Sequence, residues 1–182
     1  IALDTIKGAE LWRCAGLNPL VYASPVVHDG VVIAMGGYQG PAVCVKTGGN
    51  GDVTETHRTW KTGMGSAKLS TGVVKDGKLY VINMTGIGEC FDLKTGEEIG
   101  KARLRKDKHG GPVWGSSVLV GDRIYAVNKQ GVTFVMKADP SFEILAANDL
   151  GEASNCTPAF SNGEIFIRTE NALWCIRVPE KA

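Results

Sequence analysis

The stretch Leu69–Gly96 reads LSTGVVKDGKLYVINMTGIGECFDLKTG and contains three short apolar segments separated by turn residues. The first two segments flank Lys75-Asp76-Gly77. An Asp-Gly pair between β-branched and aromatic residues is typical of a tight hairpin, because glycine tolerates positive φ. Further turns are indicated at 85–88 and 94–96. The stretch therefore predicts short strands joined by tight turns.

The same hairpin pattern recurs before and after this stretch. The four copies are Pro25–Ile33, Gly72–Tyr80, Ser117–Tyr125 and Pro158–Phe166. The copies repeat at intervals of about 45 residues, and a period in this range with four strands per period is typical of β-propeller blades. A single four-stranded blade cannot bury both of its faces, so the blades must stack on one another around an axis.

We therefore predict an all-β fold, a β-propeller of four-stranded antiparallel blades with about four blades present. The predicted blades cover residues 1–13 (the last two strands only), 22–63, 68–104, 113–150 and 155–177 (without an outer strand). The blade at 22–63 departs from the pattern at Lys46–Asp52, which predicts a longer glycine-rich surface turn.

Composition excludes several classes of function. The chain has 182 residues, 43% of them hydrophobic, with 24 glycines and a net charge of +1. A chain this close to neutral is not expected to bind nucleic acid or an anionic membrane surface. No apolar run approaches the roughly 20 residues that a membrane-spanning helix needs.

The five cysteines do not indicate a disulfide framework, because their number is odd. Cys44, Cys90 and Cys175 fall at one repeat position that takes small apolar residues. We predict that they are buried between blades and too far apart to pair. The histidines His28 and His57 have no spacing typical of metal ligands, and neither does the third, His109.

Residues Ile1–Arg13 read IALDTIKGAELWR: a strand, an Asp, a turn, and a strand with Trp12. Phe91–Glu98 repeats the pattern, although Gly100 stands where Trp12 would align. In these features the chain resembles the PQQ-like repeat (quinoprotein alcohol dehydrogenase-like) propellers, over essentially its whole length. Within them it is similar to the propeller lipoproteins of the outer-membrane barrel-assembly machinery.

The resemblance bears on ring size. One alternative is a four-bladed ring, in which Glu10–Arg13 completes the last blade. A second is the C-terminal half of a seven- or eight-bladed ring, and a third is a larger ring made by two copies of the chain. We favour the second, because the family usually builds larger rings and because Ile1 falls inside a strand.

The sequence contains no catalytic constellation, and we expect no catalytic residue, metal or cofactor. PQQ-dependent dehydrogenases of this superfamily use calcium, an Asp base and commonly two adjacent cysteines, and no two cysteines are adjacent here. The favoured function is therefore a non-catalytic propeller that binds or scaffolds. The alternatives are the C-terminal portion of a PQQ-dependent dehydrogenase and a sensor domain of a larger exported protein. The resemblance implies an exported or periplasmic location.

The candidate ligand-binding surface lies at one rim, where the turns that enter each first strand meet the turns between second and third strands. The predicted site residues are Tyr38, Gln39, Lys68, Trp114, Lys129, Gln130, Asn155 and Arg168, with Tyr22, Ser24 and Asn171 on the same face. Aromatic and amide side chains at a rim suit a protein, peptide or carbohydrate ligand. A competing interpretation is that Tyr22 and Trp114 pack the connections between blades. Open blade edges also predict self-association if the ring is incomplete.

Overall fold

A computed structural model describes residues 1–63 and 70–178 as a succession of short strands with one single-turn helix. The first strands are β1 (Ala2–Leu3), β2 (Glu10–Arg13), β3 (Val26–His28), β4 (Val31–Met35), β5 (Ala42–Lys46), β6 (Gly51–Asp52), β7 (Arg58–Lys61), β8 (Val73–Lys75) and β9 (Lys78–Ile82). The others are β10 (Ile87–Asp92), β11 (Glu98–Arg103), β12 (Val118–Val120), β13 (Arg123–Val127), β14 (Val132–Lys137), β15 (Ile144–Asp149), β16 (Ala159–Ser161), β17 (Glu164–Arg168) and β18 (Leu173–Ile176). The helix is α1 (Thr54–His57).

The described strands form five separate sheets, which follow one another along the chain except that β6 of the first sheet lies within the segment of the second. Sheet I contains β1, β2 and β6, and sheet V contains β16, β17 and β18. The sheets between them are four-stranded: sheet II (β3, β4, β5, β7), sheet III (β8 to β11) and sheet IV (β12 to β15). Within sheets II to V all neighbouring strands run antiparallel. These are the repeated sheets of a β-propeller, as the sequence predicts.

The predicted Asp-Gly hairpins are present. Asp29 and Gly30 both have positive φ, at 41° and 74°, and Asp76 and Gly77 follow with 48° and 68°. Two successive residues with positive φ define the hairpin turn whose twist matches that of the flanking strands. These turns set the register that places Val73 opposite Tyr80 and Val26 opposite Ile33.

The third strand of each central sheet is buried on both faces, which shows that sheets stack on both sides of it. In β5 the four residues from Ala42 to Val45 are all buried. Val43 and Val45 pack with Val53 on one side, whereas Ala42 and Cys44 pack with residues of sheet III on the other. Side chains alternate between faces along a strand, so each third strand contributes to two interfaces.

The largest apolar cluster lies between sheets III and IV. It joins Tyr80 and Ile82 of β9 to Phe134 and Met136 of β14. The hydroxyl of Tyr80 donates to the carbonyl oxygen of Ala138 in the next sheet, at 2.9 Å. A buried phenol needs such a partner, and this one also joins two blades.

The prediction for the aligned cysteines is right for two of three. Cys44 and Cys90 are buried, and burial raises the pKa of the Cys90 thiol to about 11. The prediction is wrong for Cys175, which is exposed on β18. The reason is that all four residues of β18 are exposed, since no described sheet covers the outer face of sheet V. All five cysteines are free thiols.

Two features of the segment that forms sheet II are irregular for a propeller blade. Residues 54–57 form α1, which includes His57, so β7 begins only at Arg58. The glycine-rich turn at 46–52 is exposed as predicted, but its last two residues form β6, which pairs in parallel with β2. Trp12 lies opposite Gly51 in that pairing.

The described sheets form an open arc and not a closed ring. β2 pairs with β1 and β6 and not with β18, so Glu10–Arg13 does not complete sheet V. The size of the full ring stays a prediction. Among the described residues, no helix combines the length and the apolar character needed to cross a bilayer.

Candidate functional site

A chain of hydrogen bonds joins the sheets at the start of their first strands. The residues concerned occupy the same repeat position: Ser24, Thr71, Ser116 and Thr157. The backbone N–H of Ser24 donates to Oγ1 of Thr71 at 3.0 Å, and the N–H of Thr71 donates to Oγ of Ser116 at 3.0 Å. The N–H of Ser116 donates to Oγ1 of Thr157 at 2.8 Å.

This hydroxyl chain fixes the spacing of the blades around the axis. A backbone N–H at the start of a first strand has no ladder partner within its own sheet, so it needs another acceptor. The hydroxyl of the next blade supplies it. The hydroxyl chain therefore holds sheets II to V together at the ends where their first strands begin. We call this side of the protein the axial face.

We expect Thr71→Val to lower the free energy of unfolding by about 1 kcal/mol, because the Ser24 N–H loses its acceptor while the side-chain volume is kept. Thr71→Ser, which keeps the hydroxyl, is the control and should be the more stable of the two variants. Urea unfolding followed by circular dichroism measures the difference. A Thr71→Val protein as stable as the wild type would contradict the role of this hydroxyl.

Buried asparagines shape the turns between second and third strands on the same face. Asn128 is fully buried, and its Oδ1 accepts hydrogen bonds from the N–H groups of Gln130 and Val132 at 3.1 and 2.8 Å. Asn83 occupies the same position in sheet III, where its Oδ1 accepts from the N–H of Thr85. An asparagine that bonds its own turn in this way fixes the turn conformation. The turns present Met84 in one blade and Lys129 in the other.

A pocket of about 620 Å³ opens on the axial face where these turns meet the start of the first strands. We call it the axial pocket, and its described lining is Leu20, Tyr22, Tyr38, Met84, Trp114, Gly115, Ser116, Asn155 and Thr157. Residues of four sheets or their connections therefore contribute to it, including the last two members of the hydroxyl chain. Its volume falls within the usual range for ligand pockets.

Three large aromatic side chains of the axial pocket remain exposed. Trp114 is 45% exposed, Tyr38 51% and Tyr22 61%. The Nζ atom of Lys129 lies 4.2 Å from the centroid of the Trp114 ring, a cation–π contact that fixes the orientation of the indole. The ring of Tyr22 lies against Gly37, where a Cβ atom would come within 2.5 Å of it. Trp114 and Tyr22 thus pack at the connections and also face the pocket.

Among the described residues, no group of three or more His, Cys, Asp or Glu side chains could hold a metal ion. His28 lies beside Asp29 in its hairpin, and His109 lies 3.8 Å from Asp149. No histidine is part of the described lining of the axial pocket. The chemistry that the described lining offers is contact with apolar and aromatic groups, hydroxyl groups and one amide.

A family model described as outer membrane protein assembly factor BamB matches residues 1–182. The chain belongs to this family. No curated protein matches the sequence. The family assignment agrees with the repeat pattern and with the stacked antiparallel sheets.

Solved structures share the fold at low sequence identity. BamB from Moraxella catarrhalis has a TM-score of 0.67 at 10% identity, over 86% of this chain and 46% of that chain. The computationally designed Ika4 protein has a TM-score of 0.72 at 11% identity, over 94% and 99%. Quinohemoprotein alcohol dehydrogenase ADHIIG from Pseudomonas putida HK5 has a TM-score of 0.64 at 16% identity, over 86% of this chain and 29% of that chain. The chain thus spans just under half of that BamB, and identities this low establish the fold alone.

The structure brings some of the predicted site residues together. Tyr38, Trp114 and Asn155 line the axial pocket, and Lys129 covers the Trp114 ring. Gln130 lines a neighbouring pocket. Gln39 and Arg168 are exposed but are not part of the described lining of either pocket. Lys68 lies outside the described residues.

Sequence reasoning missed five lining residues, namely Leu20, Met84, Gly115, Ser116 and Thr157. A signal for the last two is present in the sequence, because a hydroxyl residue recurs at the same repeat position in four consecutive copies. Met84 has a signal as well, because it occupies the same repeat position as the predicted site residue Lys129. Leu20 and Gly115 carry no comparable signal, since both belong to connections whose paths depend on contacts with other blades.

Proposed function

We propose that the chain is a non-catalytic binding propeller that holds an extended segment of a partner protein at its axial face, with an apolar or aromatic side chain of the partner in the axial pocket. The observation that carries the proposal is the convergence of Trp114, Tyr38 and Tyr22, all about half exposed, around one concavity. Covering such aromatic surface stabilises a complex by roughly 25 cal/mol per Å² of apolar area removed from water. Aromatic side chains of this kind are also the usual anchors of protein interfaces.

Two features of the pocket favour a peptide over a carbohydrate. Lys129 covers one face of the Trp114 ring, which reduces the aromatic surface on which a sugar could stack. The amide of Asn155 is exposed and makes no hydrogen bond with the described part of the chain. An amide side chain offers both a donor and an acceptor, which matches the backbone of an extended peptide.

The family supports a role in which a protein is the partner. Its description, outer membrane protein assembly factor, names assembly of outer membrane proteins. We propose that this chain is an exported or periplasmic protein, and that it contributes binding and not catalysis. The proposal needs neither PQQ nor calcium.

A direct test uses acetylated, amidated decapeptides that carry Phe, Leu or Ser at the centre of an otherwise identical Thr- and Gln-rich sequence. We expect the Phe and Leu peptides to shift the backbone amide resonances of Met84, Ser116 and Thr157, and the Ser peptide to leave them unchanged. Trp114→Ala should weaken binding of the Phe peptide about tenfold or more, because removing an aromatic anchor costs over 1.4 kcal/mol.

Leu173→Ala, which changes an exposed apolar residue of β18, is the matched control and should bind as the wild type does. Failure of every peptide to shift these resonances would overturn the proposal, as would binding that Trp114→Ala leaves intact. Shifts caused by maltose in place of the peptides would assign the pocket to a carbohydrate. A quinone absorbance band that survives dialysis after incubation with PQQ and calcium would favour the dehydrogenase alternative.

A further inference from the structure

A second pocket, of about 310 Å³, lies on the axial face between sheets III and IV and is rich in positive charge. We call it the basic pocket, and it is lined by Arg103, Leu104, Arg105, Lys108, Gly110, Gly111 and Gln130. Three of these seven residues are cationic, whereas the whole chain has a net charge of only +1. The basic pocket therefore concentrates positive charge in one concavity.

The cations of the basic pocket are not neutralised by the described part of the chain. Among residues 1–63 and 70–178, ion pairs within 4.0 Å engage Lys101 before this segment and His109 after it, and none engages Arg103, Arg105 or Lys108. Unpaired cations in a concave surface attract anions, because the low-dielectric walls strengthen the local field.

One guanidinium is held in place by a backbone contact, and one nearby lysine is turned away. Nη1 of Arg103 lies 3.4 Å from the carbonyl oxygen of Thr85. Nζ of Lys106 donates to the carbonyl oxygens of Ile144 and Leu145 at 3.2 and 3.1 Å. Its charge therefore lies at the edge of sheet IV and not in the pocket. The acid nearest in sequence, Asp107, lies in the turn between Lys106 and Lys108 and is exposed.

Two glycines give the basic pocket its shape. The carbonyl oxygen of Gly110 accepts a hydrogen bond from Nδ2 of Asn128 at 2.5 Å. Gly111 has a φ of 110°, and a Cβ atom there would lie 2.6 Å from Oε1 of Gln130. The absence of a side chain therefore lets the Gln130 amide lie against the backbone, where it faces the same pocket as the three cations.

The basic pocket and the axial pocket are neighbours. Gly111 of one and Trp114 of the other are three residues apart, so their Cα atoms lie within about 11 Å. Lys129 covers the Trp114 ring, and the next residue, Gln130, lines the basic pocket. An extended peptide covers that distance with about three or four residues.

We propose that the basic pocket binds the carboxylate groups of an acidic peptide, so that the partner segment at the axial face carries Asp or Glu about three residues from its apolar anchor. This inference rests on the proposed function and specifies the chemical class of the partner. The planar guanidinium groups of Arg103 and Arg105 match a carboxylate through two parallel hydrogen bonds. Lys108 adds a third positive charge and the Gln130 amide a neutral donor.

The test compares three decapeptides: one with a central Phe and two Glu residues three and four positions away, one with Gln in place of both Glu residues, and one with the Glu residues but with Ser in place of Phe. We expect the first to bind about tenfold more tightly than the second at low ionic strength. The Arg105→Gln/Lys108→Gln double variant should remove this advantage and keep the affinity for the second peptide. Added salt should reduce the advantage as well.

The matched control is the Lys75→Gln/Arg123→Gln double variant, which removes two positive charges from the hairpins at the opposite end of the strands. It should keep the full preference for the acidic peptide. Equal affinity for the first two peptides would overturn this inference while leaving the proposed function intact. If the third peptide bound as tightly as the first, the basic pocket would be an isolated anion site and this inference would be overturned. The same holds if millimolar inorganic phosphate displaced the first peptide as effectively as an excess of the unlabelled peptide does.

Discussion

Gly131→Ala is expected to lower the free energy of unfolding by about 2–5 kcal/mol, because it combines a left-handed backbone with a clash between blades. Gly131 has a φ of 84° and lies in the turn between β13 and β14. A Cβ atom there would lie only 1.8 Å from the carbonyl oxygen of Glu152. Glu152 belongs to the connection that leads into sheet V, so the added methyl group would push two blades apart.

The chain offers a matched control for this change within the same sheet. Gly121 also has a positive φ, of 61°, but a Cβ atom there would meet no atom of the described residues within 4 Å. Gly121→Ala should therefore lower the free energy of unfolding by only roughly 1–2 kcal/mol, the cost of placing alanine in a left-handed backbone conformation. Urea unfolding of both variants measures the difference between them. Equal destabilisation would show that the turn of sheet IV does not contact the connection to sheet V.

Phe134→Ala is expected to lower the free energy of unfolding by about 3–5 kcal/mol, since it removes a buried aromatic ring and leaves a cavity. Phe134 is fully buried at the centre of β14 and belongs to the cluster between sheets III and IV. Ala126 and Ala147 lie opposite it on the two adjacent strands. These small neighbours cannot fill the space that the ring would leave.

Phe160→Ala is the control for the loss of a phenyl ring. Phe160 is only half-buried and contacts Tyr125 edge-on, with ring centroids 4.8 Å apart. We expect its loss to cost clearly less than that of Phe134, because part of the space it leaves is already open to solvent. If both variants unfolded at the same urea concentration, the tight packing between sheets III and IV would be contradicted.

The repeat and the hairpins were predictable from the sequence because they depend on local chemistry. An Asp-Gly pair has a strong preference for positive φ, and Asp76 and Gly77 adopt it. The burial of Cys44 and Cys90 also follows from one repeat position that accepts small apolar residues. These features are encoded within a few residues of where they appear.

The features that could not be predicted from the sequence depend on the packing of one sheet against another. Cys175 occupies the same repeat position as Cys90, yet it is exposed because no described sheet covers β18. The pairing of β6 with β2 joins segments nearly forty residues apart and has no local signature. The two pockets have the same origin, since each is lined by residues of connections and turns from different blades.

The candidate site was predictable in its location and only partly in its members. Aromatic and amide residues in equivalent turns indicated the axial face, and Tyr38, Trp114 and Asn155 do share one pocket. The positive charge around Arg105 was visible in the sequence as a short basic run. That the run forms a concavity beside Gln130, and that Lys106 turns away from it, depends on contacts with sheet IV.

Neighbouring sheets meet flank to flank around one axis and are joined by the hydroxyl chain at the axial face. Through-space NMR contacts between the amide proton of each donor and the side chain of its acceptor in the next sheet would detect this arrangement. We expect three such contacts: Ser24 with Thr71, Thr71 with Ser116, and Ser116 with Thr157. Contacts confined to strands within single sheets, with none of these three observed, would contradict it.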